Sequence, residues 1–145
     1  MRKFLLSIIC LIAFQTQAQE KPIYYEKVGL NTFRFFFDKN YFLADKSCEF
    51  KSIERVSKLN PKTQHFDGPF KDFNNFGRLI LEGNYIDGVK QGLFKAYHAN
   101  GKLKWEANFV NDSPTGEIKH YYTNEQLAIR AQSKDSLIVI QDFYE

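Results

Sequence analysis

The chain has 145 residues, with 20 Lys and Arg against 17 Asp and Glu, a formal net charge of +3. That balance is too even to mark a nucleic-acid or anionic-membrane partner. Aromatics make up 17% of the chain, with 15 Phe and 8 Tyr, a bias that favours strands over helices.

Residues 1–18 read as a secretory signal. Arg2 and Lys3 form a positive n-region, Phe4 to Phe14 is an apolar run, and Thr16-Gln17-Ala18 puts small residues at a cleavage site after Ala18. The run is shorter than the about 20 apolar residues of a comfortable membrane span. An uncleaved N-terminal anchor is the alternative. Cleavage predicts a secreted or periplasmic protein. It would also take Cys10 with the signal and leave 18 basic residues against 17 acidic ones. Cys48 then stands alone, as a buried free thiol or a partner in an intermolecular bridge.

Residues 19–62 form a lead-in outside the period that follows. Glu20 to Leu30 reads as surface chain, Thr32 to Phe37 as a strand, Leu43 to Cys48 as one helical turn, and Phe50 to Leu59 as a further strand.

Residues 63–134 hold three copies of a 24-residue repeat. Gly68, Gly92 and Gly116 share one position in it. Phe70, Phe94 and Ile118 share the next, then Phe73, Tyr97 and Tyr121, then Leu79, Leu103 and Leu127. Such a period signals stacked supersecondary units. In the middle copy Asn100-Gly101 separates two alternating runs, which predicts a hairpin with a type I′ turn. A two-residue loop fixes the register. It sets Phe94 against Ala107, Ala96 against Trp105, Lys95 against Glu106, Tyr97 against Lys104 and His98 against Leu103. The same rule sets Phe70 against Gly83, Lys71 against Glu82, Ile118 against Ala131 and Lys119 against Arg130. The third turn, Asn124-Glu125, would hold Glu at an unfavourable positive φ and make the last copy the looser one. In residues 135–145, Leu137 to Phe143 reads as a closing strand.

These readings add up to an all-β chain of five to nine strands, a single twisted antiparallel meander. Its apolar face is expected to curl into an open half-barrel or to be covered by the N-terminal segment.

The run from Asp87 to Leu103 resembles a MORN-type repeat of the bacterial variant class, with its Gly-x-Phe strand, an aromatic three residues on, and an Asn-Gly turn. The resemblance extends over residues 63–134 and departs at Phe76-Gly77 and at Glu125. The Phe35-Phe36-Phe37-Asp38-Lys39 lead-in and the Gln-Ala-Gln signal ending are similar to those of such proteins from Bacteroidota. The resemblance implies repeated β-hairpins, no catalysis and binding through a surface. Some relatives are labelled antitoxins, others are fused to envelope energy-transducing domains, and eukaryotic cousins are linked to lipid or protein binding. The signal segment argues against a cytosolic antitoxin role.

Little in the sequence points to catalysis or cofactors. His65, His98 and His120 lack metal-ligand spacing. Asp67-Gly68 and Asp87-Gly88 read as turns, since the alternating acidic ligands of a calcium loop are missing. The candidate binding surface is an outer-face ladder of Phe73, Tyr97 and Tyr121, stepped about 9.5 Å apart, beside Lys71, Lys95 and Lys119. Those rings either stand exposed or pack on Ile80 and Ala128 or on the N-terminal segment; a bulge after Gly92 would turn Tyr97 inward. The expected function is a non-enzymatic protein-binding or scaffold module in the cell envelope. The alternatives are a weak peripheral membrane- or glycan-binding module, or a hydrolase or thiol enzyme around Asp38 and Cys48. Edge strands offer a route to oligomers.

Overall fold

Aromatic-rich runs, several of them alternating apolar and polar residues and broken by Gly-, Asn- and Asp-containing turns, yield eleven strands in the computed structural model, which describes residues 21–134 and 137–143. The signal reading of residues 1–18 lies outside the described residues. The strands are β1 (Tyr25–Gly29), β2 (Thr32–Phe37), β3 (Ile53–Leu59), β4 (Phe66–Asn74), β5 (Leu79–Ile86), β6 (Val89–Lys90), β7 (Gly92–Tyr97), β8 (Leu103–Val110), β9 (Ser113–Tyr121), β10 (Leu127–Lys134) and β11 (Leu137–Phe143). They form one antiparallel meander in chain order, with the short β6 paired only to β5. β1 and β11 lie at opposite edges and do not pair, so the sheet stays open. No helix occurs among the described residues.

One row of side chains crosses the repeat. Phe70 faces Gly83 and Phe94 faces Ala107. Ala107 in turn faces Ile118, which faces Ala131. Phe70, Phe94, Ile118, Ala107 and Ala131 are all buried. The predicted large–small pairing therefore holds in all three copies. The pairs Lys71–Glu82, Lys95–Glu106 and Lys119–Arg130 also stand in register. A large ring beside a small residue fills the pleat without overlap, the arrangement dense packing requires. Gly83 is where this matters most. A Cβ there would lie 2.6 Å from Cδ1 of Phe94. The Phe70 and Phe94 rings meet with centroids 5.6 Å apart.

The turns differ from the expectation, and in the same way in each copy. His98 N–H bonds to the Lys102 carbonyl and Gly101 N–H to the His98 carbonyl. Of the Asn-Gly pair only Gly101 takes a positive φ, 84°. The loop is therefore three residues long, a type I turn closed by a residue in the left-handed region. Asn74 to Arg78 and Tyr122 to Gln126 repeat the pattern, with Gly77 (φ 71°) and Glu125 (φ 72°) in the left-handed position. The longer loop brings a bulge. Ala96 faces Trp105, but Tyr97 then faces Leu103, so Lys104 is the extra residue and His98 belongs to the turn. The expected Tyr97–Lys104 and His98–Leu103 pairs are not formed. Two-residue turns with both φ positive occur between copies instead, at Asp87-Gly88 (47° and 86°) and at Asn111-Asp112 (49° and 65°).

The lead-in also departs from expectation. Residues 25–29 are not loose surface chain, because β1 pairs with β2. Leu43 to Cys48 forms no helical turn. Asp45 accepts hydrogen bonds from Ile23 N–H, Ser47 N–H and the Ser47 hydroxyl, while Cys48 N–H closes a turn onto its carbonyl. A short acidic side chain that captures backbone donors in this way competes with the helix.

Candidate functional site

The row continues as one aromatic face. Ring-to-ring contacts link Tyr25, Phe33 and Phe35 near one edge to Phe66, Tyr85, Phe70, Phe94 and Phe109 in the repeats. On β8, Trp105 packs against the buried cluster of Ala107, Ile118 and Ala131. Most of these rings are half-buried, because their neighbours cover their sides while the face, apart from the loop that carries Tyr41, has no second layer among the described residues.

A buried ion pair sits in the middle of this face. Alternation along β3 places Arg55 between Ile53 and Ser57, and all three are buried. On β4, Asp72 lies directly across from it. Arg55 Nε and Nη2 donate to the two oxygens of Asp72 at 2.7 and 2.8 Å. The guanidinium also lies 4.4 Å from the Phe70 ring centroid. Burial works against the charge on Arg55, but the bond to Asp72 and the Asp72 charge, with smaller help from Tyr85 and Tyr41, together outweigh it and the pKa is raised.

Tyr41 arches over the pair. The Asp38 carboxylate accepts from Asn40 N–H and Phe42 N–H at 2.8 and 3.0 Å, fixing a tight loop in which Tyr41 has φ 65°. The Tyr41 hydroxyl donates to Asp72 at 3.2 Å. Burial, reinforced by the Asp72 charge, pushes the Tyr41 hydroxyl up to about 12. Burial also raises Tyr85, with Arg55 pulling the other way.

Between these groups lies an open cleft of about 350 Å³ lined by Tyr41, Arg55, Leu81, Tyr85, Lys90, Phe94, Trp105 and Phe109. Lys90 stands at the mouth, its ammonium 5.3 Å from the Phe109 ring and 5.9 Å from Phe94.

The sequence-predicted ladder lies on the opposite face. Tyr97 and Tyr121 are half-buried and do not turn inward. Tyr97 donates its hydroxyl to Glu82 at 2.5 Å, and Tyr121 to Glu106 at 3.1 Å. Each bond joins one copy to the copy before it. Burial and the Glu82 bond push the Tyr97 hydroxyl up to about 12. Lys71 is exposed, 3.8 Å from Glu82, whereas Lys119 bonds Glu117 at 2.7 Å. Lys95 lies between Glu82 and Glu106 in the ladder register. Phe73 lines a separate apolar hollow of about 310 Å³ with Val56 and Pro69. Gly68, Gly92 and Gly116 all take positive φ. Asp38 serves its own loop, and Cys48 is half-buried. His98 Nε2 meets the Tyr121 carbonyl at 2.9 Å, and His65 pairs with Asp87 at 3.2 Å. Among the described residues no three His, Cys, Asp or Glu side chains gather as a metal site.

Residues 90–111 match the family described as MORN repeat variant. The matched span is the β7–β8 hairpin with the turn that follows it, so the likeness to a MORN repeat falls on the middle copy. The two flanking copies share its turns and its large–small row. No curated protein matches the chain. Among solved structures, a chain of the "Crystal structure of GtfA/B complex" is similar at 18% identity and a TM-score of 0.30, over 87% of this chain and 21% of that one. The chain thus spans about a fifth of the solved chain's length, and a likeness this low carries no argument.

Proposed function

We propose that the chain is a non-enzymatic MORN-repeat module that binds another protein through its aromatic face and works in the cell envelope. The observation that carries the reading is the uncovered face itself. Trp105, Tyr85 and Phe109 surround an open cleft instead of a sealed core. A contiguous apolar surface of this kind on a soluble repeat sheet marks an interaction site. The Arg55–Asp72 pair and the Tyr41 loop hold the cleft in shape before any partner arrives, which lowers the ordering cost of binding. The envelope location rests on the signal-like residues 1–18.

A photo-crosslinking residue placed at Lys90, on the aromatic face, and separately at Lys95, on the opposite face, tests this in cells. The reading expects one specific adduct from position 90 and none from position 95. Adducts from position 95 alone, or from neither position, would count against it.

A further inference from the structure

The cleft shows a mismatch between what it offers and what it satisfies. The Arg55 charge is spent on Asp72, and the Tyr41 hydroxyl on the same carboxylate. Lys90 is different. Its ammonium lies over two rings and forms no ion pair with a carboxylate among the described residues. Asp112, the acidic residue beside it, accepts from the Lys90 backbone N–H at 2.9 Å and leaves the ammonium free. The indole N–H of Trp105 likewise has no hydrogen-bond acceptor among the described residues, and the indole is half-buried at the cleft wall. The open cleft therefore presents donors, a cation and ring faces, and has no carboxylate among its lining residues.

We propose that the cleft receives an extended peptide segment in which an aromatic side chain stands next to an acidic residue. The ring enters the cleft between Tyr85, Trp105 and Phe109. The carboxylate pairs with Lys90, and a peptide carbonyl accepts from Trp105. An extended segment fits better than a compact metabolite because the aromatic face continues past the cleft, through Phe66, Phe35 and Tyr25. This specifies the partner chemistry of the protein-binding reading and rests on that reading.

Trp105 is the one tryptophan of the chain, so its emission reports the cleft directly. The probe is a hexapeptide with Phe-Tyr flanked by Asp and Glu, titrated into the full chain. Its counterpart carries Asn and Gln instead. The acidic peptide is expected to shift Trp105 emission and to bind about fivefold tighter than its amide counterpart, the scale of one partly exposed ion pair. Lys90→Met keeps the apolar stem and should erase that difference. Tyr97→Phe, on the opposite face, should leave it intact. Equal binding of the two peptides to the parent protein overturns this proposal while leaving the aromatic face as a binding surface. A Trp105 signal that depends on protein concentration alone, with dimers in sedimentation, overturns it in favour of a second copy. No Trp105 response to either peptide overturns it as well, and the crosslinking experiment then decides whether the face binds anything.

Discussion

Arg55 and Asp72 form a two-pronged ion pair, at 2.7 and 2.8 Å, with Asp72 wholly buried under the Tyr41 loop. Removing one partner strands a charge in the low-dielectric interior. Asp72→Ala should therefore cost about 3–5 kcal/mol. The double variant Arg55→Met, Asp72→Leu removes both charges and should recover most of that loss. Urea midpoints of the three proteins check this. A single variant that loses less than about 1 kcal/mol would mean that the pair is solvated.

The Phe70–Gly83–Phe94 contact gives a second test. The position of Gly83 is Ala107 and Ala131 in the other copies, where a methyl is accommodated. Only Gly83 has a phenyl ring on both sides, and its added Cβ would fall 2.6 Å from Phe94. Gly83→Ala should cost about 1–3 kcal/mol as Phe94 is forced off its rotamer. Phe94→Leu should relieve part of it, so thermal melts of the single and double variants should be non-additive. An unchanged melting temperature in Gly83→Ala would show that Phe94 shifts freely.

How much of this was legible in the sequence divides along the period. The row from Phe70 to Ala131 could be written down because three copies repeat one cross-strand arithmetic. The turn type could not, because Asn-Gly suits a type I′ turn and also a type I turn followed by a left-handed glycine. The choice of the longer loop displaced Lys104 into a bulge. β1 escaped notice because Tyr25 to Gly29 lacks clean alternation. The Arg55–Asp72 pair lies 17 residues apart across an irregular connection, so no turn rule set its register. The available signal was alternation alone, which puts Arg55 on the face of Ile53 and Ser57, and Asp72 two places after Phe70.

Glu125 occupies the left-handed position that Gly77 and Gly101 hold in the other copies. A side chain there costs about 1–2 kcal/mol, and glycine returns about 0.5–1 kcal/mol of that as lost chain entropy. Glu125→Gly also gives up an exposed contact with Lys102 at 3.1 Å, a type of pair that contributes little. The net expectation is stabilisation by about 0.5–1 kcal/mol, seen as a melting temperature a few degrees higher. A lower melting temperature would show that the ion pair outweighs the strain.

Alkaline pH should weaken the fold. Tyr41 and Tyr97 have hydroxyls pushed up to about 12 from an ordinary 10. The folded chain holds these protons more tightly than the unfolded one. Their contribution is therefore intact below pH 10 and is lost as the pH rises from 10 towards 12. Tyrosinate absorbance should show a late phase that shrinks in the double variant Tyr41→Phe, Tyr97→Phe. A late phase of unchanged size would assign it to Tyr85 and Tyr121 alone, whose hydroxyls are also raised.

The claim that the aromatic face, and not the tyrosine–lysine ladder, meets the partner is tested most directly by hydroxyl-radical footprinting. The chain is compared as purified protein and in the envelope fraction of its own cells. Protection of Trp105, Tyr85 and Phe109, with Tyr97 and Tyr121 unchanged, is the predicted result. Protection confined to Tyr97 and Tyr121, or none on either face, would contradict it.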